Sequence, residues 1–213
     1  MINKSEVPKG RQVLWQVEET AGFESSWIDL DGLHLHAEGR SVGQLPEPYW
    51  VSYTLDTDEH AVTARLQVTS VTATDHRTLD LRRDGDTWFV DGVPRPDLAD
   101  ARDCDLACSP LTNTMPIIRT GLHQHPGTAD FLMAFVEVPS LRVIPSKQAY
   151  THLTTTENGA QVRYAAGSFT SDLHIDPDGL VIVYPTLGRR IPPTTTVTDG
   201  ERQRGPGSAR PGA

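Results

Sequence analysis

The sequence predicts an all-β protein built on a single antiparallel sheet, and two kinds of observation support this fold class. Apolar and polar residues alternate with a period of two along several segments, as in strands with one buried and one hydrated face. Short turn sequences containing glycine join these segments closely, which requires neighbouring strands to run in opposite directions. Because many strands of similar length follow one another, the sheet is further expected to roll up or approach a barrel.

The alternation is clearest in the first half of the chain. Residues 49–55 and 62–68 carry a tyrosine or an apolar side chain at every second position. Similar patterns recur at 161–164 and 169–175. Residues 131–136 are apolar without a break, which predicts a strand that is covered on both faces and lies near the centre of the sheet.

Two hairpins are predicted from their turn sequences. Residues 84–86 (Asp-Gly-Asp) and 176–179 (Asp-Pro-Asp-Gly) each separate two short apolar segments. In both turns the glycine can supply a positive φ at little steric cost. Only residues 96–101 are expected to form a helical turn.

Composition and length limit the possible classes of protein. At 213 residues, one domain is expected over residues 1–191, followed by a disordered tail over 192–213 that is rich in proline, glycine and threonine. A net charge of -9 argues against nucleic acid as a partner, because such binding depends on clustered lysine and arginine. The sequence shows neither an apolar signal segment nor a membrane span, so a cytoplasmic location without an integral membrane segment is expected. The oligomeric state is left open.

The familiar enzyme signatures are absent from the sequence: it contains no G-x-S-x-G, H-E-x-x-H, P-loop or G-x-G-x-x-G motif. We therefore predict no catalytic set and no cofactor. The pairs His34/His36 and His123/His125 could in principle bind a metal, but the first pair is expected to face water and the second to lie in a loop. No metal site is predicted.

Residues 103–108 contain two acids and the only two cysteines of the chain. If this segment is a strand, Cys104 and Cys108 lie about 13 Å apart at ~3.3 Å per residue, too far for a disulfide or a shared zinc ion. Both thiols are therefore predicted to be buried. Asp103 and Asp105 could act as a general acid and base, although hydrated strand charges are the commoner case.

The most unusual stretch is residues 104–119, where Thr-Asn-Thr lies between two prolines. These side chains could satisfy backbone groups where a strand is interrupted, or they could bind a ligand. Arg119 could pair with an acid such as Asp105, or it could meet an anionic or hydroxylated head group.

Residues 105–119 show the pattern D-L-x-x-x-P-x-T-N-T-x-P-I-x-R. This pattern resembles the signature of the bacterial putative glycolipid-binding family, earlier a domain of unknown function. Further motifs, among them Leu14-Trp15, 88–92 and 148–151, agree with that family in order and spacing, so the resemblance extends over about residues 12–190. One departure is Ile118, where the family tends to have a second arginine ahead of Arg119.

The resemblance implies a spiral β-roll, a long antiparallel meander curled into a half-barrel that shelters an apolar ligand. The first hypothesis is a non-enzymatic protein that binds an apolar or amphipathic ligand, such as a lipid or glycolipid, on the concave face of the sheet. The alternatives are an enzyme (a hydrolase or isomerase) that uses Arg119, Asp105 and a histidine, and a protein-interaction module. For the first hypothesis, the candidate polar anchors are Arg119, Asn113 and Gln148, and the candidate aromatic contacts, each also explicable as core, are Trp50, Tyr53, Trp88, Tyr150, Tyr164 and Tyr184.

Overall fold

The chain folds into one large, mostly antiparallel sheet, which a computed structural model describes for residues 10–193. The predicted fold class is confirmed. Residues 194–213, the greater part of the predicted tail, lie outside the described residues.

Over residues 10–193 the sheet has fifteen strands. Their bounds are β1 Arg11–Val17, β2 Gly22–Asp31, β3 His34–Gly43, β4 Tyr49–Thr57, β5 Thr63–Thr72, β6 His76–Asp84, β7 Thr87–Val90, β8 Val93–Pro94, β9 Asp103–Leu106, β10 Thr128–Val136, β11 Val143–Thr156, β12 Gly159–Ala166, β13 Phe169–Ile175, β14 Val181–Tyr184 and β15 Gly188–Ile191. The helical elements are the 3-10 helices Pro96–Leu98 and Pro110–Asn113 and the α-helix α1, Thr114–Thr120.

The order of the strands explains why the sheet rolls up. Strands β2 to β8 follow β1 on one side, and β15 back to β9 follow it on the other, so β8 and β9 form the two ends of the sheet. Only residues 95–102 connect these two ends along the chain. Hydrogen bonds hold the residues just before β9 against β7 and β5: the Trp88 indole N–H of β7 donates to the Ala101 carbonyl at 2.9 Å, and the Thr63 N–H of β5 donates to the Arg102 carbonyl at 3.0 Å. The sheet therefore curls without closing into a barrel.

Both predicted hairpins are confirmed. Strands β6 and β7 pair across the turn at Gly85, which has a φ of 57°, and β13 and β14 pair across the turn at Gly179, which has a φ of 81°. The period-two segments also form strands that alternate between buried and exposed side chains, as in β4.

Two expectations about secondary structure were wrong. Residues 131–136 do lie in a strand, but β10 is second from one end of the sheet, not central. The strand is only partly covered: the 3-10 helix Pro96–Leu98 packs against it, but Phe131, Leu132 and Phe135 stay partly exposed. The second error is α1, where the sequence suggested an interrupted strand. Its Pro116 lies in the first helical turn, where a missing N–H costs no hydrogen bond.

The two consecutive helical elements fill the middle of the roll, and we call residues 110–120 the plug. Every residue from Cys108 to Ile118 is buried. Leu111, Met115 and Ile117 are fully enclosed and belong to the main hydrophobic core. The helix ends at Gly121, whose left-handed φ of 68° lets its N–H donate to the Ile118 carbonyl. The inner face of the sheet is thus covered by the chain itself.

An ion pair fixes the plug to the sheet. The Arg119 guanidinium, at the last turn of α1, donates two hydrogen bonds to the Asp103 carboxylate of β9 and one, at 2.9 Å, to the Ala61 carbonyl. Asp103 is fully buried and Arg119 nearly so. The Arg119 guanidinium also lies over the ring of Phe131, 5.4 Å from its centroid. Asp103 is therefore not the hydrated strand charge expected from the sequence.

We expect Arg119→Ala to lower the free energy of unfolding by about 3–5 kcal/mol, because it would leave the Asp103 carboxylate buried without a partner. Chemical denaturation measures this. The matched control is Arg163→Ala, which breaks the exposed pair of Arg163 with Asp172 and should lower the free energy of unfolding far less, because exposed ion pairs contribute little to stability. Equal, small losses in the two variants would contradict the assigned role of the Arg119 pair.

Candidate functional site

The plug does not fill the whole interior, and a cavity of about 460 Å³ remains at one end of the roll. This volume lies within the range of roughly 300–1,000 Å³ that is typical of ligand pockets. The cavity opens where the β1–β2 turn, the β3–β4 loop and the β14–β15 turn come together. Its lining residues are Glu19, Thr20, Leu45, Pro46, Tyr49, Asp105, Leu106, Ala107, Cys108, Ser109, Asn113, Phe135, Val138, Tyr164, Phe169, Tyr184, Thr186 and Leu187.

A larger depression, of about 850 Å³, lies on the opposite face of the sheet. The side chains that point into it belong mainly to the hydrated face of β2 to β6, among them Ser25, Arg40, Ser52 and Gln67. Such polar side chains are what a solvated sheet face carries by default. The interior cavity is the stronger candidate, because it combines apolar walls with a few buried polar groups.

Aromatic rings form one wall of the cavity. Tyr164 lies at the centre of this cluster, with ring centroids 6.0 Å from Phe169, 5.7 Å from Tyr184 and 5.3 Å from Tyr150. The rings meet edge to face or tilted, the arrangements that aromatic pairs prefer. Burial raises the pKa of the Tyr164 and Tyr184 hydroxyls, so both remain protonated hydrogen-bond donors at neutral pH.

Tyr49 forms part of the opposite wall, and a glycine makes its position possible. Its ring lies across Gly43, the residue paired with it on β3, and a side chain at Gly43 would come within 2.6 Å of the ring. The Tyr49 hydroxyl is buried beside the hydroxyls of Thr20 and Ser41, but within residues 10–193 none of the three makes a hydrogen bond of good geometry. A polar group of a ligand could therefore bond to this part of the cavity wall in exchange for weak contacts only.

A network of polar side chains forms the inner end of the cavity. The Asp105 carboxylate accepts hydrogen bonds from the Thr112 hydroxyl at 2.8 Å and from the Gln148 amide at 2.6 Å. The Tyr150 hydroxyl donates to the Asn113 side-chain oxygen at 2.8 Å. Asp105 is buried, contrary to the expectation that it faces water, and burial raises its pKa against the effect of these donors.

A second buried carboxylate, that of Glu24, lies behind Ser109. It accepts hydrogen bonds from the hydroxyls of Ser109 at 2.5 Å, Ser26 at 3.2 Å and Tyr53. Burial raises the pKa of Glu24 to about 7, although all three hydroxyl donors act to lower it. The Tyr53 ring can reach Glu24 because it packs over Gly39, where a Cβ would come within 2.2 Å of the ring.

The structure distributes the candidate binding residues over three environments. Asn113, Tyr164 and Tyr184 line the cavity, and Gln148 and Tyr150 lie one layer behind it in the polar network. The other four lie away from the cavity: Arg119 in its ion pair with Asp103, Tyr53 against Glu24, Trp88 in the core, and Trp50 on the outer face of β4.

Sequence reasoning did not select several cavity residues, notably Tyr49, Ser109, Phe135 and Phe169. Tyr49 carried a usable signal, since it begins the alternating segment that places Tyr53 on the inner face. The other three lie where strands end or turn, and there the local pattern does not indicate which side chains face the interior.

The cysteines and histidines contribute no metal centre within the described part of the chain. Cys104 and Cys108 are free and buried, as predicted. His36 contacts Asp56 at 2.6 Å on the outer face, and residues 10–193 hold no group of three or more candidate metal ligands. Likewise, none of the helices in this range is long and apolar enough to cross a membrane.

Comparisons with known proteins agree with this architecture. Residues 12–190 match the model of a family described as putative glycolipid-binding. The chain is also similar to a DUF1089 family protein from Pseudomonas aeruginosa, known from a crystal structure at 1.80 Å resolution. The two share 30% sequence identity and superpose with a TM-score of 0.67, over 79% of this chain and 92% of the other. A comparison with curated proteins finds no match.

The raised pKa of Glu24 predicts a stability that depends on pH. Because the folded state holds this proton more tightly than the unfolded state, the contribution of Glu24 is most favourable below pH 4.5 and is lost as the pH rises through about 7. We expect the free energy of unfolding to fall by about 3 kcal/mol across this range, and Glu24→Gln to remove most of that fall. Chemical denaturation of the wild type and of Glu24→Gln at pH 5 and pH 8 measures the fall in the first protein and its removal in the second.

Glu157→Gln is the control, because Glu157 lies on an exposed turn between β11 and β12. This variant should keep the pH dependence of the wild-type protein. An unchanged dependence in Glu24→Gln would mean that Glu24 is ionised at neutral pH in the folded protein.

Proposed function

We infer that this chain, which belongs to the putative glycolipid-binding family, binds an amphipathic ligand such as a glycolipid in the interior cavity. The family resemblance predicted from the sequence is confirmed by the match over residues 12–190. The observation that carries the proposal is the cavity itself, which remains open beside the plug with aromatic walls and a polar inner end. The cytoplasmic location stays a prediction.

The charges of the cavity favour a neutral, hydroxylated head group. Its lining includes two acids, Glu19 and Asp105, and contains no lysine, arginine or histidine. Partial burial raises the pKa of Glu19, and burial raises the pKa of Asp105, whose carboxylate bonds to Thr112 and Gln148 and not to a cation. An anionic lipid head would be repelled here, whereas the hydroxyls of a sugar can donate to carboxylate and carbonyl oxygens.

The apolar part of the ligand would lie against the rings of Tyr164, Phe169 and Tyr184. Each CH₂ group transferred from water to such a wall contributes about 0.8 kcal/mol. A short alkyl chain is therefore enough for measurable binding, even though the polar groups of the cavity add little net free energy.

The enzyme alternative depended on Arg119, Asp105 and a histidine acting together. In the structure, Arg119 is bonded to Asp103, while Asp105 is bonded to Thr112 and Gln148. These contacts hold the plug and the polar network in place, and they favour binding over catalysis as the role of the site.

The test uses octyl glucoside below its critical micelle concentration as the probe, with octanoate and free glucose for comparison. By isothermal titration calorimetry, octyl glucoside should bind at least about tenfold more tightly than either compound, a difference of about 1.4 kcal/mol. Octanoate binding as tightly as octyl glucoside would contradict the proposed preference for a neutral head group.

A matched pair of variants localises the binding. Ala107 lines the cavity, so Ala107→Phe should fill part of it and weaken octyl glucoside binding at least about tenfold, which corresponds to the loss of about two CH₂ contacts. Ala165 points away from the cavity on β12 and is only partly buried, so Ala165→Phe should leave the affinity unchanged. Equal affinities in both variants would place the ligand elsewhere.

A further inference from the structure

Large apolar side chains are exposed at the end of the roll where the cavity opens. We call five of them the mouth rim: Phe23, Val42, Leu45, Trp50 and Phe169, with exposed fractions of 49%, 49%, 54%, 60% and 42%. Such a cluster is unusual on a soluble protein surface, where exposed apolar residues are normally scattered singly.

The sheet register places three of these residues side by side. Phe23 on β2 pairs with Val42 on β3, and Val42 pairs with Trp50 on β4. Neighbouring strands lie about 4.7–4.9 Å apart, so the three side chains form one continuous row on the outer face. In the next row on this face, the paired residues Ser25, Arg40 and Ser52 are polar.

The row continues into the cavity through the β3–β4 loop. Leu45 in this loop and Phe169 at the start of β13 are exposed and also line the cavity. The Gln44 N–H donates to the Thr20 carbonyl at 2.7 Å, which holds the loop against the β1–β2 turn. An apolar surface therefore runs from the outer face of the sheet, over the lip, to the interior.

We propose that the mouth rim docks onto the surface of a lipid bilayer, so that a lipid can pass between the bilayer and the cavity. This inference rests on the proposed function, because it takes the cargo of the cavity to be a lipid. A lipid leaving a bilayer must otherwise expose its chain to water, which is unfavourable for each CH₂ group. An apolar lip placed against the bilayer removes that cost. Tryptophan is enriched at membrane interfaces, because its ring is apolar and its N–H is polar.

The charges around the mouth rim predict which bilayer it meets. Glu19 and Glu47 are exposed in the two loops that frame the opening, whereas Glu18 beside them pairs with Arg189 at 3.5 Å. Anionic lipid surfaces attract basic segments and repel acidic ones. Docking should therefore occur through apolar contact on neutral or glycolipid-bearing bilayers, change little with salt, and weaken when anionic lipid is added.

The experiment compares the full-length protein with two double variants by vesicle co-sedimentation. Vesicles of phosphatidylcholine, with or without phosphatidylglycerol, serve as the probe. The variant Leu45→Asp with Trp50→Asp should lower partitioning onto phosphatidylcholine at least about tenfold. The control, Leu33→Asp with Val93→Asp, changes two residues of 36% and 62% exposure that lie away from the mouth and should partition like the wild type. In the wild type, tryptophan emission should shift to shorter wavelength on binding.

The outcomes separate this inference from the proposed function. A wild type that binds octyl glucoside but not phosphatidylcholine vesicles would overturn docking and leave the cavity proposal intact. Vesicle binding that depends on the mouth rim, without octyl glucoside binding, would support docking and overturn the cavity proposal. Equal losses in the two double variants, or preference for anionic vesicles, would also overturn docking. So would light scattering that shows a dimer broken by Leu45→Asp with Trp50→Asp, since the rim would then meet a second copy.

Discussion

The structure depends on covering the inner face of one very wide sheet. The two end strands, β8 and β9, do not pair with each other, so no closed ring of hydrogen bonds fixes the curvature of the sheet. The plug supplies that constraint from inside. Its apolar residues fill the centre, and the Arg119–Asp103 ion pair and the Arg119 contact with Ala61 join α1 to β9 and to the turn before β5. The plug thereby sets both the curvature of the sheet and the space that remains beside it.

The space beside the plug persists because the polar side chains at its inner end are already bonded to one another. Asp105, Thr112 and Gln148 form one set of contacts, and Glu24 and Ser109 belong to another. Side chains tied in this way cannot turn into the cavity without leaving a buried polar group unpaired, which costs more than an apolar rearrangement. The same burial raises the pKa values of Glu24 and Asp105. The proposed ligand cavity and the predicted fall of stability with rising pH thus share one physical origin.

The proposed cavity and the mouth rim are two faces of the same strands. On β4, Tyr49 lines the cavity and its neighbour Trp50 is exposed on the outer surface. On β2, Glu24 is buried behind the cavity, while Phe23 belongs to the rim. Because successive side chains of a strand point to opposite sides, a step of one residue separates the two roles. This explains why Trp50, a candidate cavity residue on sequence grounds, lies on the outside and gains a different proposed role.

The sequence by itself determined the strands with clear alternation, the two hairpins and the mostly antiparallel order, because period-two alternation and turn chemistry are local properties. The motif pattern of residues 105–119 also indicated the family. The sequence did not reveal α1, since Pro110 and Pro116 look like strand breakers until both are seen in first helical turns. Nor could it choose Asp103 over Asp105 as the partner of Arg119, or place Tyr49 and Phe169 at one opening. Those contacts join residues far apart in the chain, and only the curvature of the rolled sheet, set by packing around the plug, decides which of them meet.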